Sequence, residues 1–154
     1  MKTLKKNNKG FSLVELIVVI LIMAIIAVAL APQVMKWVDS SRISSDNNNK
    51  ATLKNSVDAA VADYMGHNGK FEKDKIVVIK LTESGLAIVD DTKSASDAIE
   101  TALKNAVDTV LNKQYPDVKQ DDNGYFLITI DHKGSVTVMA CDASGNDILS
   151  GKDV

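Results

Sequence analysis

The sequence predicts an α+β fold in which a long N-terminal helix, membrane-spanning in its first half and amphipathic in its second, packs against a small globular head. The head is predicted to contain a second helix and a short antiparallel sheet. Three patterns predict this fold: an apolar run at 11–31, helical apolar periodicity at 53–64 and 94–113, and a hairpin pattern at 125–141.

Length and charge limit the classes of protein that fit. A chain of 154 residues has room for about one domain of ordinary size. Its net charge of −2 is unevenly distributed. Four lysines lie in the first ten residues, and the rest of the chain, its body, contains 14 basic and 20 acidic residues. A mildly acidic body without a basic patch indicates no nucleic-acid partner. The single cysteine, Cys141, excludes an intramolecular disulfide.

The apolar run at 11–31 has the length of a membrane span. Nineteen of its 21 residues are apolar, and a helix of that length measures about 31 Å, close to the hydrocarbon thickness of a bilayer. Four lysines precede the run, whereas only Lys36 and Arg42 follow it closely. This asymmetry predicts an N-terminus in the cytoplasm and a chain that lies outside after about residue 36.

Two simpler interpretations of the run are a cleaved secretory signal and an ordinary single-span anchor. A signal peptide would use the small residues at 29–31 as its cleavage site. However, the run exceeds the usual ~7 to 15 apolar residues, and Pro32 would follow the cut, where it disfavours extended binding to a protease. An ordinary anchor leaves Glu15 unexplained, because an ionisable residue inside a membrane segment is costly and is a functional candidate.

The stretch at 9–20, KGFSLVELIVVI, resembles the N-terminus of a type IV prepilin. The resemblance covers about residues 5 to 32. Its features are a short basic leader ending in a cleavage glycine, an aromatic first mature residue, an acid at the fifth mature position and a later proline: Gly10, Phe11, Glu15 and Pro32. The ten-residue leader and the aromatic residue are most similar to the type IVa group. Ala24 departs from the pattern, because many relatives have glycine there.

The resemblance implies two sets of functional residues. A membrane-embedded prepilin peptidase is expected to cut between Gly10 and Phe11 on the cytoplasmic side and to methylate the new Phe11 amine. Glycine suits the position before the cut because it lets the backbone approach closely. For assembly, the resemblance implies Phe11, Glu15 and Pro32, with Glu15 pairing with the Phe11 amine of a neighbouring subunit. The Glu15 side chain is also expected to point toward Phe11 of its own chain, four residues earlier.

Residues 33–66 are predicted to form the amphipathic half of the long helix. A stripe at helical spacing is expected to pack on the head: Leu53, Val57, Ala60, Val61 and Tyr64. Residues 40–49 are poor in helix formers and by themselves favour a loop, whereas the resemblance implies one continuous helix. Glycines at 66–69 predict its end. The expected organisation is a leader at 1–10, a transmembrane or filament-core half-helix at 11–32, an amphipathic half-helix at 33–66 and a globular head at 67–154.

Three segments of the head have recognisable patterns. Residues 75–81 form a short apolar run, which favours a strand or a buried turn. Residues 94–113 predict the second amphipathic helix, capped by Ser94 or Ser96. Residues 125–141 are rich in β-branched and aromatic residues on both sides of a short turn, which predicts an antiparallel hairpin.

No group of residues predicts catalysis, a metal site or a cofactor, and the chain is expected not to be an enzyme. His67 and His132 fall in predicted turns and are expected at the surface. Residues 121–124 and 142–147 offer oxygen ligands but lack the alternate acids of an EF-hand loop, so turn formation explains them better than calcium. Cys141, at a strand end, is expected to be a buried small hydrophobe.

The predicted function is that of a structural subunit of a type IV pilus, polymerised into a helical surface filament for adhesion or motility. Its expected partners are further copies of itself, prepilin peptidase, the pilus assembly machinery and, before assembly, the membrane. The precursor is expected in the inner or cytoplasmic membrane and the mature subunit in a cell-surface pilus. Two alternatives stay open: a pseudopilin of a type II secretion or DNA-uptake system, and a membrane-anchored binding domain that does not polymerise.

Overall fold

The computed structural model describes residues 10–69, 75–89 and 97–152. Within these ranges the elements, in chain order, are α1 (Leu13–Asn68), β1 (Ile76–Thr82), β2 (Gly85–Ile88), α2 (Asp97–Leu111), β3 (Tyr125–Asp131) and β4 (Val136–Cys141). The predicted α+β class, with a long N-terminal helix, a second helix and an antiparallel sheet, is confirmed. The chain divides into two compact units, one ending at Val38 and the other beginning at Asp39.

α1 is one uninterrupted helix that includes residues 40–49, where local composition alone favours a loop. Tertiary contacts explain the helix there, because Ile43 packs against the core and Asp46 is fully buried. The helix ends inside the predicted glycine segment. Gly69 has a left-handed φ of 83°, and its N–H donates to the Met65 carbonyl at 3.0 Å, an αL cap that glycine adopts without strain.

The four strands form one antiparallel sheet in the order β2-β1-β3-β4. β1 corresponds to the apolar run predicted at 75–81, whereas β2 was not predicted. β2 pairs with β1 through a two-residue turn that places Thr82 opposite Gly85. β3 and β4 confirm the predicted hairpin. Their turn is held by Asp131, whose Oδ1 accepts the N–H groups of Lys133 at 2.9 Å and Ser135 at 2.8 Å.

The core lies between the inner face of the sheet and the two helices. The sheet contributes alternate residues of three strands: Val77, Ile79, Leu81, Phe126, Ile128, Ile130, Val136, Val138 and Ala140. α1 contributes the predicted stripe: Leu53, Val57, Ala60 and Val61 are at most 2% exposed, and Tyr64 packs partly buried against them. α2 contributes Leu103 and Val107. Its predicted caps, Ser94 and Ser96, lie outside the described residues.

A buried carboxylate joins α1 to the loop between α2 and β3. Asp46 is fully buried, its Oδ1 accepts the Lys119 N–H at 2.7 Å, and its Oδ2 accepts the Gln120 N–H at 3.0 Å. Beside it, the Asn49 side-chain amide donates to the Asp117 carbonyl at 3.3 Å. These contacts fix the loop on the helix. They also give each carboxylate oxygen of Asp46 an N–H donor, which a buried carboxylate needs.

Asp46→Ala is expected to lower the free energy of unfolding of the head by about 1 to 3 kcal/mol, because the Lys119 and Gln120 N–H groups lose the buried carboxylate that accepts them. The measurement is urea unfolding of the full-length chain in mild detergent, followed by near-ultraviolet circular dichroism. Asp58→Ala is the matched control, since Asp58 lies on the same helix but its side chain is 41% exposed and forms a surface ion pair with Lys54. It should change the free energy by about 0.5 kcal/mol or less. Equal effects of the two substitutions would contradict the role of Asp46.

Candidate functional site

The predicted cleavage junction lies outside the helix. Gly10 and Phe11 precede the first helical residue, Leu13, and both are exposed, Phe11 to 92%. Apart from its chain neighbours, no heavy atom of the described residues lies within 4 Å of the position that a Cβ on Gly10 would occupy. The described part of the chain therefore does not require glycine here. A requirement for glycine must come from a protein that binds this segment.

Glu15 caps the N-terminus of α1. Its Oε2 accepts the backbone N–H of Ser12 at 2.8 Å, and the first helical hydrogen bond runs from the Leu16 N–H to the Ser12 carbonyl at 3.2 Å. Ser12 is thus the N-cap and Glu15 the third helical residue, which is the acid position of a capping box. A carboxylate in the first turn also interacts favourably with the helix dipole. This cap was not predicted, although its signal, S-x-x-E before an apolar run, is present in the sequence.

Phe11 and Glu15 border the same open apolar surface, which is completed by Val14, Leu16, Val18 and Val19. In the uncut chain, however, the Phe11 nitrogen belongs to the peptide bond with Gly10 and carries no charge. Cleavage of that bond would convert it into an ammonium group four residues before Glu15. The predicted partner of the Glu15 carboxylate is therefore created by the processing step itself.

The rest of the first unit is an exposed apolar helix. Every described residue up to Val38 is exposed, and large side chains such as Leu13 and Val28 are more than 70% exposed. Such continuous apolar exposure indicates a surface that lies in lipid or against other chains. By length and composition, α1 is the one helix in the described part of the chain that is able to cross a membrane.

Pro32 lies inside α1, and the helix continues through it. Because proline has no N–H, the carbonyl of Val28, four residues earlier, loses its helical hydrogen bond. Both residues are exposed. The predicted site residues thus lie in two places. Gly10 and Phe11 precede α1 and Glu15 lies in its first turn, whereas Pro32 lies about five turns later.

The loop at 142–147 is a hydrogen-bonded turn. Asp142 Oδ1 accepts the N–H groups of Ser144 and Asn146, each at 2.9 Å, and the Asn146 side chain donates to Asp142 Oδ2 at 3.1 Å. The hydrogen bonds from Asn146 hold the pKa of the Asp142 carboxyl below its ordinary value. Over 10–69, 75–89 and 97–152, no three residues of the His, Cys, Asp or Glu types are grouped as metal ligands would be.

Cys141 is fully buried, as expected, and burial raises the pKa of its thiol. A buried thiol with a raised pKa forms little of the thiolate that reacts. Of the two histidines, His67 is exposed, with Nδ1 2.9 Å from the Asp63 carbonyl, and His132 is half-buried in the turn after β3. These residues therefore add nothing to the candidate site at the start of α1.

Comparison with known proteins points to the same segment. A family model described as the prokaryotic N-terminal methylation motif matches residues 5–31, which are 27 of the 154 residues. No curated protein and no solved structure matches the chain. The matched segment contains Gly10, Phe11 and Glu15, and the motif implies processing by prepilin peptidase and handling by the associated assembly machinery. Together with the apolar helix it fits a membrane-anchored precursor. The methylation motif and the α+β fold support a type IV pilin-like protein.

Proposed function

We propose that this protein is a structural subunit of a type IVa-like pilus. Prepilin peptidase removes residues 1–10 and methylates Phe11, and the mature subunits polymerise into a surface filament with their apolar helices in its core. The precursor lies in the cytoplasmic membrane with its N-terminus in the cytoplasm. The protein has a structural role rather than an enzymatic one. The observation that supports the proposal best is the position of Glu15, an acid in the first turn of a helix whose apolar residues up to Val38 are all exposed.

The physical basis of the proposal is the weak preference of apolar helices for one another in a membrane. Apolar side chains that leave lipid for a helix bundle gain little from the hydrophobic effect, so packing and polar contacts must select the register. A carboxylate and an ammonium about 4 Å apart attract by about 4 kcal/mol at an effective dielectric of 20, before the cost of desolvation. Pairing of Glu15 with the Phe11 amine of a neighbour would therefore select one register among many apolar ones.

A pseudopilin shares the same processing motif and therefore fits the matched residues equally well. The filament itself distinguishes the two, because a pilus extends from the cell whereas a pseudopilus stays within the envelope.

Electron microscopy of cells that express the protein at its natural level is expected to show thin surface filaments. They should label with antibody raised against the head, residues 67–154, and shearing should release the mature subunit. Cells that lack prepilin peptidase are the control and should show none. Short structures confined to the envelope would favour the pseudopilin, and cleaved subunits that stay monomeric in the membrane would contradict polymerisation.

A further inference from the structure

The apolar surface of α1 does not end at Ala31. After Pro32 and Gln33 the helix carries further exposed apolar side chains: Val34 at 48%, Met35 at 70%, Trp37 at 68% and Val38 at 44%. Trp37 is the only tryptophan in the chain, and Lys36 precedes it. Tryptophan concentrates at the boundary between hydrocarbon and head groups, and lysine near a helix end extends its ammonium to the same layer. This pair therefore has the chemistry of one membrane interface.

The start of α1 has the chemistry of the other interface. The helix begins at Leu13, so the N–H groups of its first turn have no intrahelical acceptor. Hydrocarbon offers no acceptor, which makes such groups costly inside a bilayer. Head groups and water do offer acceptors. The capping carboxylate of Glu15 belongs to the same turn and, as a charged group, prefers the same polar layer.

The separation of these two ends matches a bilayer. Trp37 follows Glu15 by 22 positions, which corresponds to about 33 Å along a helix axis. A tilt of about 20° from the membrane normal reduces that distance to about 31 Å. The hydrocarbon core of a typical bilayer is about 30 Å thick. Both ends can therefore reach their preferred layers at once.

We infer that the precursor spans the membrane between Glu15 and Trp37, with the Lys36–Trp37 pair in one head-group layer and the capped start of α1 in the other. A span at 11–31 would instead place Glu15 about 6 Å inside the hydrocarbon and Trp37 about 9 Å outside it. A span from Glu15 to Trp37 places the neutral Gln33 in the hydrocarbon, whereas a span at 11–31 places the charged Glu15 there. The desolvation of a neutral amide costs less than that of a carboxylate. The bond between Gly10 and Phe11 then lies in a polar layer, where a peptidase reaches it. This inference rests on the membrane-anchored precursor and is independent of polymerisation.

Trp37 provides a native probe for this register. The uncleaved full-length precursor is reconstituted into phosphatidylcholine vesicles that contain lipids brominated either near the head group or near the chain end, and tryptophan fluorescence is measured. Bromine quenches tryptophan fluorescence only at short range, so the lipid that quenches more strongly shows the depth of the tryptophan in the bilayer. The matched variant combines Trp37→Phe with Leu30→Trp, which moves the probe seven positions, or about 10 Å, along the same exposed helix.

The inferred register predicts that native Trp37 is quenched several-fold more by head-group-proximal bromine than by chain-end bromine. The probe in the Leu30→Trp variant should be quenched more by chain-end bromine than native Trp37 is. A span at 11–31 gives a different result, with Trp37 unquenched by either lipid and the variant quenched only by head-group-proximal bromine. That outcome would overturn the inference, as would a lack of quenching of both probes or stronger chain-end quenching of Trp37.

Discussion

Replacing Glu15 by leucine is expected to stop filament assembly while membrane insertion and cleavage continue. Leucine extends the apolar run and adds no charge, so the precursor should still enter the membrane. Each incoming Phe11 amine would then lack its partner in a low-dielectric core. Loss of one member of a buried pair typically costs about 3 to 5 kcal/mol. Since each 1.4 kcal/mol is about a tenfold change, the yield of filaments should fall by roughly two orders of magnitude or more.

The measurement compares cleaved subunit in the membrane fraction with subunit in sheared filaments, for wild type and Glu15→Leu, without wild-type subunit in the mutant cells. Glu15→Gln is the matched variant, because an amide oxygen still accepts the Ser12 N–H and preserves the cap. If charge pairing is the function, Glu15→Gln fails almost as completely as Glu15→Leu. Normal filaments from Glu15→Gln would assign the role to the cap instead, and normal filaments from Glu15→Leu would reject both.

Gly10→Val is expected to leave residues 1–10 attached and the protein in the membrane. The valine side chain would meet no atom of the folded residues that the structure describes, so the fold should be unchanged. In the peptidase, however, a β-branched residue beside the cut prevents close approach of the backbone. A displacement of about 1 Å at a reacting bond costs about 100-fold in rate. The measurement is the mass of the membrane-bound subunit after a pulse of synthesis.

Gly66→Val is the control for this prediction, because Gly66 is also exposed and has open space around its Cβ position, but it lies near the other end of α1. It should be cleaved at the wild-type rate. Recovery of Gly10→Val at the mature mass in sheared filaments would refute the assignment of the cleavage site.

The sequence predicted those parts of the fold whose signals are local. The stripe from Leu53 to Tyr64 and the hairpin from β3 to β4 follow from periodicity alone, because each needs only one buried face. β2 was not predicted, because its four residues are too few to show the alternation of apolar and polar side chains that is typical of a strand. Residues 40–49 show the opposite limit, because their helix depends on the burial of Ile43 and Asp46 within the second unit.

Asp46 shows why some stabilising residues cannot be predicted from local pattern. Its acceptor role depends on Lys119 and Gln120, which are 73 and 74 positions away, and it stands in a stretch of serines and asparagines that is typical of a loop. The candidate site differs, because its residues lie within one short segment. Gly10, Phe11 and Glu15 were therefore predicted together. The cap between Ser12 and Glu15 was not predicted, although its S-x-x-E signal is equally local.

The most direct test of the account is the N-terminal mass of the protein recovered from filaments sheared from cells. Removal of ten residues from 154 leaves 144, and the account predicts that these begin at Phe11 and carry one additional methyl group on its amine. Fragmentation of the intact subunit should place that methyl group on the first residue. A protein that begins at Met1, or at Pro32 after cleavage as a secretory signal, would contradict the account.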